Sequence, residues 1–201
     1  NKYSIQLSEN DQNNFKENLK IINNQIKQIE KLVNEFSDFA RMPKPIFQTN
    51  NLVDLVKENI KLLQELDNSI EIIFSNNNNI IKLDSDKEQL GRVFLNLIKN
   101  AIESIHQKTE KNTSFIKNIT IELNDYNDHI SFIIIDTGIG FNDLKSNIKD
   151  ILNPYFTTKK NGTGLGLSIV NKIINDHNGI IDFISTNDGA KIEIIFSKKW
   201  I

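Results

Sequence analysis

The sequence predicts an α/β fold in which a mixed sheet carries helices on one face, preceded by a long helix. Three observations predict it. Apolar residues recur at alternating spacings of three and four over residues 8–41, prolines end that run, and the remainder mixes strand-like and helix-like segments. Because those segments depart from a strict β-α-β repeat, a mixed sheet is favoured over a doubly wound parallel one.

The N-terminal helix carries one narrow apolar stripe. Ser8 followed by Asp11 fits an N-terminal cap. The stripe consists of Leu19, Ile22, Ile26, Ile29, Val33, Phe36 and Ala40. This spacing is typical of the seam of a coiled coil or helical bundle, and the alternative is a helix that packs on the core of its own domain.

A proline-containing linker ends this helix near Arg41–Met42. Pro43 and Pro45 cannot continue a helix, because proline lacks the backbone N–H and clashes with the preceding turn. The segment is therefore predicted to be stiff. We place the boundary between two domains here, at residues 1–45 and 46–201.

The second domain is predicted to mix short strands with three helices. The helices are expected over 50–65, from a cap at Asp84 or Ser85 to about Gln107, and over 164–177. The strands are expected at 70–74, 80–83, 117–124, 129–136, 180–186 and 190–197. Residues 137–163 form a long irregular stretch, which in a compact domain is usually a lid or a disordered segment.

Composition excludes several classes of function. A net charge of −2 over 201 residues gives no basis for binding nucleic acid or an anionic membrane surface. The absence of cysteine excludes disulfides and thiolate metal sites and fits a reducing compartment. No apolar run approaches the roughly 18–20 residues that span a bilayer. Since the chain begins at Asn1, we expect it to be a piece of a longer protein.

Two asparagines define the first pattern with chemical potential. Asn96 and Asn100 are four residues apart on a predicted helix, so their side chains point to the same side. Carboxamide oxygens suit Mg²⁺, a hard cation that often shares its shell with phosphate. In an Asn-rich chain, such a pair also arises by chance.

An acidic residue and two glycines follow the predicted strand at 129–136. Asp136-Thr137-Gly138-Ile139-Gly140 would let the backbone approach a flat ligand closely, with the carboxylate accepting a hydrogen bond from an amine. The alternative is a simple Asp–Gly turn.

Two further patterns lie in and after the irregular stretch. Residues 153–159 combine aromatic, hydroxyl and lysine side chains, and the alternative reading is a hydrophobic anchor for the loop. Gly162-Thr163-Gly164-Leu165-Gly166-Leu167 opens a predicted helix, where backbone N–H groups and the helix dipole favour phosphate. This is not a Walker A loop, because no Gly-Lys-Ser/Thr follows.

In this order the four patterns resemble the N, G1, F and G2 boxes of the histidine-kinase catalytic domain, whose family also holds gyrase, MutL and heat-shock chaperone ATPases. The resemblance covers residues 46–200. Residues 36–45 also resemble the end of the dimerisation helix in nitrogen-regulation sensor kinases of the NtrY type. The resemblance implies a two-layer α/β sandwich of the Bergerat type and ATP-dependent phosphorylation of a histidine, with ATP and Mg²⁺ as cofactors.

The resemblance also assigns roles to the first two patterns. Asn100 is expected to be the direct Mg²⁺ ligand, with Asn96 beside it in the polar cluster. Asp136 is expected to bind the adenine amine, and Gly138 and Gly140 to give the base room.

The third pattern would form part of a mobile lid over ATP. Tyr155 and Lys159 are expected to lie in the lid, and Lys159 to neutralise phosphate charge as a catalytic residue together with the two asparagines. Phe156 is expected to pack the lid against the sheet or against the dimerisation helix.

The fourth pattern would meet the phosphates. Gly162, Gly164 and Gly166 are expected to shape the end of the lid and the phosphate-facing turn, while Thr163 and Leu165 offer backbone N–H groups. Phosphoryl transfer needs mainly positioning and charge neutralisation, which fits such a set.

One departure concerns the phosphate acceptor. By the resemblance, the acceptor histidine belongs to a preceding helix outside this chain. His106, His129 and His177 are expected to have structural or surface roles. Partnership with an NtrX-like response regulator, a homodimer through residues 8–41 in the full-length protein, and a cytoplasmic domain on an inner-membrane protein are further implications.

A second function stays open beside the kinase. A nucleotide-gated binding module would use ATP to order the lid and change helix packing, with little transfer. ATPase relatives usually have a glutamate as general base where this chain has Asn96, which favours the kinase. A third possibility, a structural dimerisation domain with a decayed site, is disfavoured by the intact motifs.

Overall fold

A computed structural model describes residues 9–111, 114–141, 148–159 and 162–198, which form two compact units. One unit holds the described residues up to Met42 together with those of the segment Thr157–Thr163, and the other holds those of Pro43–Phe156 and those from Gly164 onward. The split between Met42 and Pro43 falls within the predicted linker.

Helix α1 spans Glu9–Ala40, where the sequence predicts a helix over 8–41. In its last turn the N–H of Arg41 donates to the carbonyl of Ser37 over 2.9 Å, and Pro43 follows two residues later. The predicted apolar stripe is exposed in the single chain at Leu19, Ile22, Ile26, Ile29, Val33 and Phe36.

The second unit is built on a five-stranded mixed sheet. Its strands are β2 (Glu71–Asn76), β4 (Asn118–Asp125), β5 (His129–Asp136), β6 (Gly179–Ser185) and β7 (Ala190–Ser197). They lie in the order β2-β4-β5-β7-β6, with β2 parallel to β4 and the other pairs antiparallel. The mixed sheet of the prediction is confirmed.

A separate two-stranded sheet pairs β1 (Gln48–Asn51) with β3 (Lys82–Ser85). Strand β1 was not predicted, because Gln-Thr-Asn-Asn has no apolar alternation. Its pairing is reinforced by polar side chains instead: the amide of Asn50 donates to the carbonyl of Ser85 over 2.8 Å.

Three helices complete the unit: α2 (Leu52–Leu66), α3 (Lys87–Lys111) and α4 (Gly166–Asp176), with a short 3-10 helix at Ile148–Leu152. The predicted cap of α3 at Asp84 or Ser85 is wrong. Both residues belong to β3, and Asp86 caps the helix, accepting from the N–H groups of Glu88 and Gln89 at 3.0 Å each.

The core lies between the helices and one face of the sheet. Alternate strand residues are buried on that face, and they include Ile119, Ile121, Leu123, Ile130, Phe132, Ile134, Ile192, Ile194 and Phe196. Helix α3 packs on β5, where the rings of Phe94 and Phe132 have centroids 4.7 Å apart. None of the helices in the described ranges combines the length and apolar character needed to cross a membrane.

Candidate nucleotide site

One face of α3 carries a row of polar side chains. Asn96, Asn100, Ser104 and Lys108 follow each other at intervals of four residues, which brings successive side chains onto the same side of a helix. The row extends the Asn pair of the sequence by two members that the prediction missed, although the i+4 spacing was visible.

The row connects α3 to three other parts of the unit. At one end, Asn96 donates to the carbonyl of Arg92 over 2.8 Å, and its Oδ1 would lie 3.3 Å from a Cβ placed on Gly166, at the start of α4. At the other end, Nζ of Lys108 donates to the carbonyls of Thr137 at 2.9 Å and Asp188 at 2.7 Å. The N and G2 patterns are thus neighbours in space.

Asp136 ends β5 as a buried carboxylate, 7% exposed. Burial raises the pKa of Asp136 to about 6, against hydrogen bonds from the backbone of Gly138 and Ala190, the charge of Lys108 and the hydroxyl of Ser104, which all lower it. A carboxylate held by donors but shielded from water is suited to accept one further hydrogen bond from a ligand.

Gly140 turns the backbone after Asp136 with a φ of +67°, a left-handed conformation that favours glycine. A Cβ at this position would also lie 2.5 Å from the carbonyl oxygen of Gly189. Gly189 itself was missed by the sequence reasoning. A Cβ there would come within 1.9 Å of the carbonyl oxygen of Asp136, so the turn before β7 packs directly on the predicted adenine segment.

The start of α4 presents a helix end that has no side-chain cap. Leu165 is fully buried and precedes the first helical residue, Gly166. A helix N-terminus presents backbone N–H groups that have no partner within the helix, together with the positive end of the helix dipole, and both favour an anion. This helix begins two residues later than the predicted 164, because Gly164 has a φ of +70°.

Gly164 and Tyr155 lie next to each other at the two ends of the loop that joins them. The N–H of Tyr155 donates to the carbonyl of Gly164 over 3.0 Å, and a Cβ on Gly164 would lie 2.4 Å from the carbonyl carbon of Tyr155. Tyr155 has a φ of 69°, which is unusual for a bulky residue, while its ring is exposed. The loop between Tyr155 and Gly164, which is part of the predicted lid, therefore starts and ends at adjacent positions.

The segment Thr157–Thr163 groups with α1 in the other unit. Within that unit the N–H of Gly162 donates to the carbonyl of Lys159 over 3.2 Å, and the hydroxyl of Thr163 donates to a carboxylate oxygen of Glu35. The predicted phosphate contacts of Lys159, Gly162 and Thr163 stay predictions.

Each of the three histidines contacts a neighbouring polar group of the fold. His106 lies 2.6 Å from a carboxylate oxygen of Asp67, and His129 lies 2.7 Å from one of Asp128. His177 is buried and bonded through both ring nitrogens. Across the described ranges, no three His, Asp or Glu side chains come together as a metal-binding group.

Comparison with known proteins places this arrangement in a family. Residues 85–199 match the family model described as histidine kinase-, DNA gyrase B-, and HSP90-like ATPase. A NtrY-like sensor histidine kinase of Rickettsia felis is 36% identical over 199 residues, covering 98% of this chain and 32% of that protein. The nitrogen regulation protein NtrY of Azorhizobium caulinodans is 30% identical over 166 residues, covering 82% of this chain and 21% of that protein.

Solved structures give the same result. The catalytic domain of histidine kinase ThkA superposes with a TM-score of 0.63 at 28% identity, covering 76% of this chain and 96% of that one. ThkA in complex with the response regulator TrrA gives 0.71 at 25% identity, covering 92% of this chain and 52% of that one. The chain spans about a third or less of the length of its NtrY-type relatives. It belongs to the histidine kinase-, DNA gyrase B-, and HSP90-like ATPase family, and over most of its length it is similar to NtrY-like sensor histidine kinases.

Proposed function

We propose that this chain binds ATP together with Mg²⁺, and that the longer protein uses it to transfer the γ-phosphate to a histidine and then to an aspartate of a response regulator. One observation carries the proposal. Two residues on a single face of α3 make contacts with other parts of the unit. Asn96 lies beside Gly166 at the start of α4, and Ser104 contacts the turn that follows Asp136. The predicted phosphate end and adenine end of the site thus lie along one polar row.

The donor set in this row fits a magnesium nucleotide. Asp136 would accept from the adenine amine, and Asn100, with Asn96 beside it, would offer carboxamide oxygens to Mg²⁺. The backbone at Leu165 and Gly166 would meet the phosphates. When bound, Mg²⁺ would neutralise phosphate charge and hold the phosphate chain in place. The phosphates would complete the metal shell, as they often do for this hard cation.

The loop residues complete the proposed site on the strength of their motifs. Gly138 and Gly140 would leave room for the base, and Gly162 and Gly164 would shape the end of the lid. The tyrosine, lysine and threonine of the lid are Tyr155, Lys159 and Thr163. We assign to Lys159 the neutralisation of phosphate charge, and to the backbone of Thr163 a phosphate contact.

The chemistry at Asn96 favours transfer to a side chain over hydrolysis. A carboxamide cannot take up a proton near neutral pH, so Asn96 cannot serve as the general base that activates water. A phosphate acceptor with its own nucleophilic nitrogen does not need that base. This supports the kinase over a nucleotide-gated module that acts by hydrolysis.

The relatives support a proposal for the surroundings of the domain. The response regulator bound to ThkA supports a regulator as partner, and the NtrY relatives support an NtrX-like one. The exposed stripe on α1 supports a homodimer in the longer protein, whose acceptor histidine would lie on a preceding helix outside this chain. We place the domain in the cytoplasm, on a protein anchored in the inner membrane.

Calorimetric titration with a non-hydrolysable ATP analogue tests the binding step. We expect Mg²⁺ to strengthen binding and the matching GTP analogue to bind more weakly. Asp136→Asn should weaken ATP-analogue binding by about tenfold or more, since hydrogen bonds to charged groups contribute about 1.5–3 kcal/mol. Asp182→Asn alters an exposed carboxylate on β6 and is the control. Equal affinity in the wild type and Asp136→Asn would contradict the assignment.

The transfer step requires the longer protein. Incubating it with γ-labelled ATP should label a histidine, recognised because phosphohistidine survives base and is lost in acid. Label appearing only as free phosphate would favour the nucleotide-gated module.

A further inference from the structure

Ser104 contacts both ends of the turn that follows β5. Its Oγ accepts from the backbone N–H of Ile139 over 3.1 Å, and its hydroxyl is among the groups that lower the pKa of the Asp136 carboxylate. A hydroxyl has one hydrogen and two lone pairs. The oxygen accepts from the amide of Ile139, which leaves the hydrogen to point towards the carboxylate, so one side chain can serve two groups of opposite character.

The turn is shaped around this hydroxyl. A Cβ on Gly138 would lie 2.1 Å from Oγ of Ser104, so only a glycine lets the backbone come this close. The N–H of Gly138 also donates to Oδ1 of Asp136 over 2.8 Å. The carboxylate of Asp136, the turn at Gly138 and the hydroxyl of Ser104 thus limit one another's positions.

The charged surroundings of Asp136 are simple. The strands beside β5 place Ile119 and Ala190 opposite it, and both are apolar. On α3, Lys108 supplies the positive charge that acts on the carboxylate, and its Nζ is bonded to the carbonyls of Thr137 and Asp188. Among the described side chains, Ser104 through its hydroxyl and Lys108 through its charge both lower the pKa of Asp136.

We propose that Ser104 is a positioning residue for nucleotide recognition, whose hydroxyl holds the Asp136 carboxylate and the Ile139 amide in the arrangement that reads an adenine base. This inference rests on the proposed nucleotide function. It extends the site by one helical turn beyond Asn100, to a residue that itself does not touch the ligand. The carboxylate is then set in place before the nucleotide arrives, which lowers the cost of binding.

Removing the hydroxyl has a consequence for protonation. Burial raises the pKa of Asp136, and the Ser104 hydrogen bond is one of the contacts that oppose the rise. Ser104→Ala should therefore raise this pKa further. Because the adenine amine needs the ionised carboxylate, binding should then begin to weaken at a higher pH than in the wild type.

Three variants test the inference. Ser104→Ala removes the hydroxyl, Ser104→Thr retains it, and Ser131→Ala removes another buried serine hydroxyl, which bonds Glu193 on the opposite side of the sheet. The side-chain ¹³C signal of Asp136 is titrated by NMR in the nucleotide-free chain. The affinity for an ATP analogue with Mg²⁺ is measured across pH 5.5–8, and thermal unfolding confirms that each variant is folded.

We expect Ser104→Ala to move the Asp136 titration upward and to weaken binding by about tenfold, as for a lost hydrogen bond to a charged group. Ser104→Thr and Ser131→Ala should behave like the wild type. An unmoved Asp136 titration in Ser104→Ala, or a moved titration with unchanged affinity, would overturn the inference. A wild-type chain that binds no nucleotide would overturn the proposed function instead, while the titration would still report on the contact.

Discussion

The backbone N–H of Asp86 donates to Nε2 of His177 over 3.0 Å, joining the start of α3 to the end of α4. The other ring nitrogen, Nδ1, lies 2.8 Å from the carbonyl of Ile173. Because Nε2 accepts, the proton is on Nδ1 and the ring is neutral. The carboxylate of Asp86 in turn accepts from the N–H of Ile46 over 2.8 Å, so this junction also fixes the segment before β1.

This junction predicts a pH-dependent stability. Burial lowers the pKa of His177 below its usual 6.5. The unfolded chain therefore takes up a proton first as pH falls, and the contribution of His177 is complete above 6.5 and declines below it. His177→Gln keeps an acceptor but cannot titrate. It should cost about 1–3 kcal/mol at pH 7.5, and less at pH 5.5.

Urea unfolding of both proteins at the two pH values measures this difference. Asp136 titrates in the same range with the opposite sign, since its folded pKa is raised, but it is common to both proteins and cancels. His129→Gln, at a partly exposed histidine that pairs with Asp128, is the control. A cost for His177→Gln that is equal at pH 7.5 and 5.5 would exclude the titration.

The sequence predicted the elements whose signals are local. Apolar periodicity located α1 and six of the strands, and glycines marked the turns at Asp136 and Gly166. The positions that escaped prediction depend on contacts distant in the chain. The close approach of Gly189 to Asp136 and the positive φ of Tyr155 opposite Gly164 are set by tertiary packing, which leaves no periodic trace in the sequence.

Replacing two glycines of the second unit with alanine should change the stability of the protein in opposite directions. At Gly140 the φ of +67° and a Cβ only 2.5 Å from the Gly189 oxygen are both unfavourable. Gly140→Ala should cost about 1–3 kcal/mol or more. At Gly91, inside α3, the nearest atoms to a Cβ are side-chain atoms at 3.7 and 3.8 Å, an ordinary contact. Gly91→Ala should stabilise by about 0.5–1 kcal/mol.

The measurement is the urea concentration at the midpoint of unfolding. It is compared between variants whose unfolding free energy has the same slope with urea, because an unchanged slope shows that the unfolded state is not affected. Equal destabilisation of the two variants would mean that the backbone conformation at Gly140 is not required.

The contacts of Asp67 predict a second pH dependence of stability, in the acidic range. Its Oδ1 accepts from the hydroxyl of Ser69 at 2.7 Å and the N–H of Ser69 at 2.9 Å, and its Oδ2 lies 2.6 Å from His106 on α3. These contacts, the Ser69 hydroxyl foremost, lower the pKa of Asp67 to about 2. Its contribution to stability is therefore complete above about 4 and is lost as pH falls from 3.8 towards 2.

Ser69→Ala removes the first of these contacts and should raise the Asp67 pKa, which NMR titration measures directly. The acid unfolding midpoint should move to higher pH. Ser75→Ala, an exposed serine on β2, should leave both values unchanged. An unaltered Asp67 titration in Ser69→Ala would show that the backbone N–H of residue 69 and His106 lower this pKa without the hydroxyl.

The two asparagines of α3 should separate metal binding from nucleotide binding. We expect Asn100→Ala to reduce the affinity for the ATP analogue with Mg²⁺ to the level measured in EDTA, while the affinity without metal stays that of the wild type. The physical reason is that a lost carboxamide oxygen removes a ligand for the cation but no contact to the base. Asn96→Ala should have a smaller effect, since Asn96 is assigned to the neighbouring polar cluster.

Asn59→Ala is the matched control for Asn96→Ala. Both side chains donate to the carbonyl four residues earlier, over 2.8 Å in each case, but Asn59 belongs to α2 and contacts none of the motif residues by a described hydrogen bond. Any effect of losing this local bond on helix stability is therefore the same in the two variants. If Asn100→Ala kept the full gain in affinity from Mg²⁺, the metal would be held elsewhere. If it weakened binding equally with and without metal, Asn100 would contact the nucleotide itself.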